Sequence, residues 1–465
     1  MTYVNDVLWE RVVLWFLLVA GLFFTIALRF VQIRFFGKAI RALLASKSTS
    51  SKQISSFQAL CTSLAQRVGT GNLAGVASAL TYGGEGAIFW MWMTALLGSS
   101  TAFAESTLAQ VFKLKKSDGT FYGGPAYYIH AGLRSKWLAF VFSISLIVAM
   151  GFVFNGVQSN TIAQGLMIGF GVSPLYCGIA TAFLSAFIIF GGKRRISQVA
   201  EVLVPIMALS YLAMTAFVVA KNIHLVPDLF ARIFAAALSP KAALGGVVGH
   251  TVKEAIRHGV ARGLFSNEAG WGSAPNAAAS ADVEHPVQQG LVQMLAVYID
   301  TLLICTSTAF IILLASGLDQ NATGIALTQA AAEFHFGYVG RVFVGIAIVL
   351  FGFTTILGNT FYGEANVQFI SRNPLAVQVY RVMVLVMVVA GSVLSVPVVW
   401  QMADLMSAVM ILINLSSIML MASIIKKTTL HFQSQQPFGF SSIGLYNHTA
   451  YNFAFNDVPA DKQVP

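Results

Sequence analysis

Three stretches of this sequence set amides and hydroxyls among glycines inside otherwise apolar runs. The first is Val68–Gly75 (VGTGNLAG), where two glycines flank Thr70 and Asn72 follows. The second carries Thr354, Thr355, Gly358, Asn359 and Thr360, and the third Asn155, Gln158 and Asn160 amid Phe and Val. A helix that unwinds at glycines frees backbone N–H and C=O groups, which bind ions and zwitterions where they line a cavity. Hydroxyls and amides complete an oxygen shell for a small, hard cation. Plainer readings compete. Gly71 and Gly75 form a GxxxG packing face, but packing does not need Asn72. A nucleotide loop would need GxGxxG after a strand, and neither is present. A lone Ser or Thr can bond back to its own helix. Gln158 is costly against lipid, so it is expected to face a cavity or a partner helix.

Catalytic constellations are missing from the pattern. The eight histidines show no HExxH or other metal spacing, and no Ser/His/Asp set can be argued from position. Cys61, Cys177 and Cys305 fall in apolar runs without a CxxC pair and read as buried thiols.

These groups must be held by membrane-spanning helices. Hydrophobic residues make up 57% and charged residues 10% of 465 residues, against about 25% charged in soluble domains. Apolar runs predict eleven spans near 12–33, 56–83, 86–111, 137–161, 175–191, 197–220, 242–258, 290–316, 341–363, 376–395 and 398–424. No basic segment precedes the first run, so it reads as a retained span. The length suits one integral domain, residues 1–425, with 426–465 as a cytoplasmic tail. The net charge of +10 follows the loops and does not indicate a nucleic-acid partner. Arg34, Lys38, Arg41, Lys47 and Lys52 fill the first loop, and Lys113, Lys115, Lys116, Arg134 and Lys136 the third. Lys193, Arg194 and Arg195 lie in the fifth, and Lys426 and Lys427 open the tail, while only 221–241 breaks the alternation. The positive-inside rule then places the N-terminus outside and the C-terminus in the cytoplasm.

The seventh span has its own interruption at Gly245–Gly249, five spans after the Gly69 break. An odd separation makes 56–220 and 242–424 opposite in orientation, the arrangement of an inverted repeat. Ionisable residues within spans are functional candidates. Glu105, Glu201, Glu364 and Arg381 fall near cytoplasmic ends, where interfacial ion pairs explain them. Asp300 is mid-span, and Asp404 sits two turns into the last span.

Four stretches make the chain resemble the alanine or glycine:cation symporter family. They are Gly69–Ala77 running on to Gly86–Gly98, Gly123–Ile129, Arg262–Pro275 with His285, Pro286, Gln289 and Gly290, and Thr355–Glu364. The likeness spans residues 9–425. It implies an all-α integral membrane fold of the leucine-transporter type, one extra helix (12–33) plus a 5+5 inverted repeat. It also implies a site. The N–H groups of Thr70 and Gly71 would meet the substrate carboxylate, with Gln158, the Gly245–Gly249 break (Gly246 and Gly249), Thr355 and Asn359 around it. Sodium would take the carbonyls of Ala65, Val68 and Phe351 and the hydroxyls of Thr354 and Thr355, with Asn72 near the carboxylate. Some members carry Trp where this chain has Asn359, so the pocket differs in volume and polarity. The Arg262–Pro275 stretch is expected on the cytoplasmic side as a gate or structural loop.

The function so implied is sodium-coupled symport of alanine or glycine across a bacterial inner membrane, with no cofactor and the bilayer as surroundings. Oligomeric state is open, a monomer included. Proton coupling through Asp300 or Asp404 is the alternative within transport. An intramembrane enzyme lacks a nucleophile–base pair or metal cluster, and a channel does not need paired helix breaks.

Overall fold

A computed structural model of the protein describes residues 5, 7–46, 53–115, 119–238, 252–319 and 322–434. It is almost wholly helical. Helix α1 (Leu14–Ala27) ends where Arg29 and Phe30 take positive φ, and α2 (Phe36–Leu44) follows. Helix α3 (Ser56–Arg67) opens on a reciprocal cap, Gln58 N–H donating to Ser55 Oγ and Ser55 N–H to Gln58 Oε1, both at 3.1 Å. It stops at Val68, whose ψ of 84 is not helical. The chain re-enters a helix through a π turn, Gly71–Gly75, and continues as α4 (Val76–Gly83).

Helix α5 (Gly86–Val111) leads into a hairpin of β1 (Leu114–Lys115) and β2 (Phe121–Tyr122), paired antiparallel, and then α6 (Pro125–Gly132). Next come α7 (Lys136–Phe170), α8 (Pro174–Ile189), α9 (Gly192–Lys221) and α10 (Val226–Leu238). The second half holds α11 (Val252–Asn267), α12 (Pro275–Ser280), α13 (Pro286–Leu313), α14 (Gly324–Phe336) and α15 (Tyr338–Ile370). It closes with α16 (Pro374–Val393), α17 (Val396–Leu420) and α18 (Ala422–Ser434). Pro at the first turn of α8, α13, α16 and α17 suits a position whose N–H has no helical acceptor.

Among the described residues, seven helices are long and apolar enough to cross a bilayer: α5, α7, α9, α13, α15, α16 and α17. Two shorter apolar helices, Arg11–Ala27 and Pro174–Ile189, accompany them. Their outward faces carry exposed Phe183, Phe187, Val202, Ile206, Leu209, Val382 and Val386, side chains that suit a lipid surround.

The seventh expected span needs correction. Residues 239–251 lie outside the described ones, and Gly246 and Gly249 with them. The described helix α11 does not end near 258 but runs to Asn267. Its interruption is Glu268–Ala274, after which α12 resumes. The two interrupted helices lie antiparallel. A Cβ on Gly83 would come within 3.1 Å of Glu254 O, and one on Gly71 within 3.3 Å of Ser266 Cα. At the other end Asp282 N–H donates to Ile54 O at 2.9 Å. Residue numbers rise on one helix as they fall on the other, so the two breaks meet at the same depth.

Candidate substrate and ion site

The break after α3 exposes backbone polar groups, and side chains from distant helices take them up. Asn72 Oδ1 accepts from Gly69 N–H at 2.8 Å. Gln158 Oε1, on α7, accepts from Thr70 N–H at 3.1 Å. Thr70 Oγ1 is buried with no hydrogen-bond partner among the described residues. Thr355 Oγ1 on α15 donates to Ala65 O at 3.0 Å and to Phe351 O at 2.9 Å. Thr354 Oγ1 donates to Phe351 O and Leu350 O, both at 3.0 Å. The structure therefore brings four of the oxygens named for sodium into one cluster across α3 and α15: Ala65 O, Phe351 O, and the hydroxyls of Thr354 and Thr355. Val68 sits at the break itself.

Asn72 faces the other way. Its Nδ2 donates to Asp300 Oδ1 at 2.7 Å, and Cys305 Sγ lies 3.3 Å away. Asp300 also accepts from Ser266 Oγ and Thr301 Oγ1, each at 2.8 Å. This second polar cluster joins the break to α11 and α13. All its members are buried.

One turn nearer the α3 start, Gln66 Nε2 donates to Glu268 Oε1 and, at 3.1 Å, to Asn359 Oδ1. Asn359 Nδ2 donates to Asn155 Oδ1 at 3.0 Å. Asn359 thus lies in a chain of three amides, one turn from the Thr354–Thr355 oxygens. Helix α7 reaches 170, so Asn155 and Gln158 stand in its middle, not near an end as the expected span 137–161 has them. Ser273 Oγ donates to Glu268 Oε2 at 2.6 Å.

Arg262–Pro275, expected to be a gate or structural loop, comprises the last turns of α11, to Asn267, and the second break, Glu268–Ala274. Gly270 and Gly272 take φ of +85 and +79, which only glycine adopts readily. Their N–H groups are held by Glu105, at 3.4 and 3.1 Å, and Asn414 Nδ2 donates to the same carboxylate at 2.8 Å. Glu105 is fully buried and works as an acceptor for turned-out backbone, not as an interfacial ion pair. Glu364 and Arg381 do pair, at 2.8 Å, and both are buried. Glu201 accepts from Gln58 Nε2 at 2.8 Å.

Aromatic rings close the break on the α4 side. Phe265 packs tilted against Trp400 with centroids 4.8 Å apart, and Phe154 tilted against Trp271 at 5.1 Å. Arg262 lies over Trp400 at 4.6 Å and pairs with Asp404 at 3.0 Å, so Asp404 is engaged in an ion pair. Three π turns, Gly71–Gly75, Ala149–Phe154 and Tyr298–Cys305, surround this region, a distortion that recurs at functional sites.

Arg67, fully buried, donates to Gln293 O at 3.3 Å, and its Nε and Nη2 have no hydrogen-bond partner among the described residues. Its charge acts on Glu105, Glu268 and Asp300. Three buried carboxylates thus lie within the electrostatic reach of one guanidinium. Sequence reasoning missed Gln66, Arg67, Ser266 and Glu268. The available signal was the glycine-rich GWGSAP run directly after a helix, the pattern already noted at Gly69.

A family model of the sodium:alanine symporter family matches residues 1–442. The amino-acid carrier protein AlsT of Bacillus subtilis is 45% identical over 440 residues, covering 94% of this chain and 93% of AlsT. The probable sodium/glutamine symporter GlnT of the same organism is 44% identical, over 90% of this chain and 87% of GlnT. Among solved structures, MhsT in complex with L-phenylalanine superposes with a TM-score of 0.57 at 11% identity, over 85% of this chain and 94% of that one. That likeness concerns the fold, which is of the leucine-transporter type. The match along the whole transmembrane region, with the two facing helix breaks, makes the chain a member of the sodium:alanine symporter family.

Proposed function

We propose that the chain carries a small neutral amino acid, alanine or glycine, into the cytoplasm together with sodium by alternating access. The observation that carries this is the meeting of Ala65 O, Phe351 O, Thr354 Oγ1 and Thr355 Oγ1 beside the Val68–Thr70 break. Oxygens from two helices that are far apart in sequence suit a small monovalent cation, whose binding would fix the spacing of α3 and α15. Thr70 Oγ1 is buried without a partner among the described residues, directly before the half-helix that begins at Gly71, whose N-terminus favours a carboxylate. The substrate set is Thr70, Gly71, Gln158, Thr355 and Asn359, joined by Phe265 and Ser266 from the end of α11. The antiparallel pairing of the two broken helices supports eleven spans in a 5+5 inverted repeat. With the loop charges it supports an N-out, C-in topology in a bacterial inner membrane.

A second cargo is favoured by one observation. Asn359, Asn155 and Gln66 present amides near the break, and the relative GlnT is named for glutamine. Proteoliposome uptake of labelled alanine, glycine and glutamine, under an imposed sodium gradient and then a pH gradient, ranks these cargoes and ions. Uptake that ignores sodium and follows the pH gradient overturns the sodium reading. Combined Thr354→Ala and Thr355→Ala changes remove two oxygens. The sodium concentration for half-maximal uptake is expected to rise roughly tenfold or more. Unchanged sodium dependence would favour coupling through Asp300.

A further inference from the structure

A cavity of about 430 Å³ lies away from the break, between the β2 end of the hairpin, the first turn of α9, α12 and the last third of α15. Asn276 is among its lining residues. Asn276 Nδ2 donates to Gly272 O at 3.1 Å and Ser273 O at 2.8 Å, and its Oδ1 accepts from Asn366 Nδ2 at 3.1 Å. One lining residue of the cavity is thus hydrogen-bonded to the second break.

Among the described residues its polar lining is hydrogen-bonded and carries two cations, Lys193 and Arg194, against one carboxylate, Glu364. Arg381 neutralises Glu364 through Nε at 3.0 Å and Nη2 at 2.8 Å. Gln368 Nε2 donates to Glu364 Oε1 at 3.2 Å, and Lys193 Nζ donates to Gln368 Oε1 at 3.0 Å. Lys193 also lies 5.5 Å from the centre of the Phe361 ring. Arg194 adds a second positive charge at the rim. Lys193 and Arg194 occupy the first turn of α9, where the helix dipole disfavours cations and favours an anion. Topology alone would be served by lysines anywhere in this loop; it does not require one anchored to Gln368 inside a cavity. The volume is in the range of small-molecule pockets, roughly 300–1,000 Å³.

We propose that this cavity is a second amino-acid station between the broken-helix site and the cytoplasm. Lys193, Arg194 and the α9 N-terminus receive the carboxylate, and the oxygens of Glu364 and Gln368 receive the ammonium. The inference rests on the symporter reading and adds a binding step on one face only.

The test uses full-length protein in proteoliposomes of defined orientation, with labelled alanine added from either face. Lys193→Gln combined with Arg194→Gln is expected to raise KM from the cavity face about fivefold or more, the loss of charge-assisted hydrogen bonds. KM from the opposite face and the sodium dependence are expected to stay within about twofold. Gln368→Leu, which keeps both charges but removes one acceptor from Lys193, is expected to shift the same face in the same direction with an unchanged melting temperature. Equal KM values at both faces for every variant, or equal shifts at both faces, overturn the station. Acetate is the second arm: competition as strong as that of alanine overturns the amino-acid assignment in favour of a plain carboxylate site. Wild-type protein that takes up no amino acid overturns the symporter reading and the station with it.

Discussion

Asn72 and Asp300 are joined by a 2.7 Å hydrogen bond from Nδ2 to Oδ1, while Asn72 Oδ1 holds Gly69 N–H at 2.8 Å. One amide therefore fixes the unwound backbone and ties it to α13, more than two hundred residues away. Replacing Asn72 by Ala leaves a buried N–H without its acceptor and a buried carboxylate with one donor fewer. The cost is expected to be about 1–3 kcal/mol for each group left unpaired. Melting of the detergent-purified protein should fall by several degrees, and uptake should be lost. A variant that melts and transports like the wild type would refute this role.

Gly69 has no room for a side chain. A Cβ there would overlap Thr355 Oγ1 and come within 3.1 Å of Gln158 Oε1. Gly69→Ala must separate α3 from α15 at the proposed ion cluster. The expected outcome is folded protein with uptake reduced by at least an order of magnitude, as when one buried polar contact of about 1–3 kcal/mol is broken. Radiolabel uptake scaled to the monodisperse protein yield measures it.

Glu105 holds the second break from outside. Its carboxylate accepts two backbone N–H groups and the Asn414 amide. A glutamine has one acceptor oxygen and would point an N–H₂ group at donors. Glu105→Gln should destabilise the protein by about 1–3 kcal/mol and slow transport, with Glu105→Ala worse. Thermal melts of the two variants beside the wild type provide the comparison, and a Gln variant as stable as wild type would count against it.

The His285 ring reports on pH. It caps α13, its Nδ1 accepting Val287 N–H at 3.1 Å, so the ring proton sits on Nε2, 3.3 Å from Nδ1 of His431 on α18. Burial, and then the neighbouring His431, push the His285 pKa down to about 3. An unfolded histidine titrates near about 6.5. Between those values the native state binds fewer protons than the unfolded one, so stability is full above about 6.5 and falls as pH drops toward 3. The slope is at most about 1.4 kcal/mol per pH unit. His285→Asn keeps a capping acceptor without the proton, so its melting temperature should vary less between pH 5 and pH 7 than that of the wild type.

The sequence by itself carried the class and much of the layout. A charged fraction of 10% leaves a chain little choice but lipid, and apolar length marks the spans that need no partner to be recognised. It also located Gly69–Asn72 and Thr354–Asn359, because glycine with amides and hydroxyls inside an apolar run has few other uses. Tertiary structure decided what those residues face. Ser266 lies at the end of an amphipathic, charged helix with little apolar signal and Glu268 just after it, so composition does not mark them as buried. Glu105 reads as interfacial from its position, yet it lies fully buried because backbone N–H groups 165 and 167 residues away turn toward it. Such pairings depend on which helices stand side by side, and local pattern does not encode that.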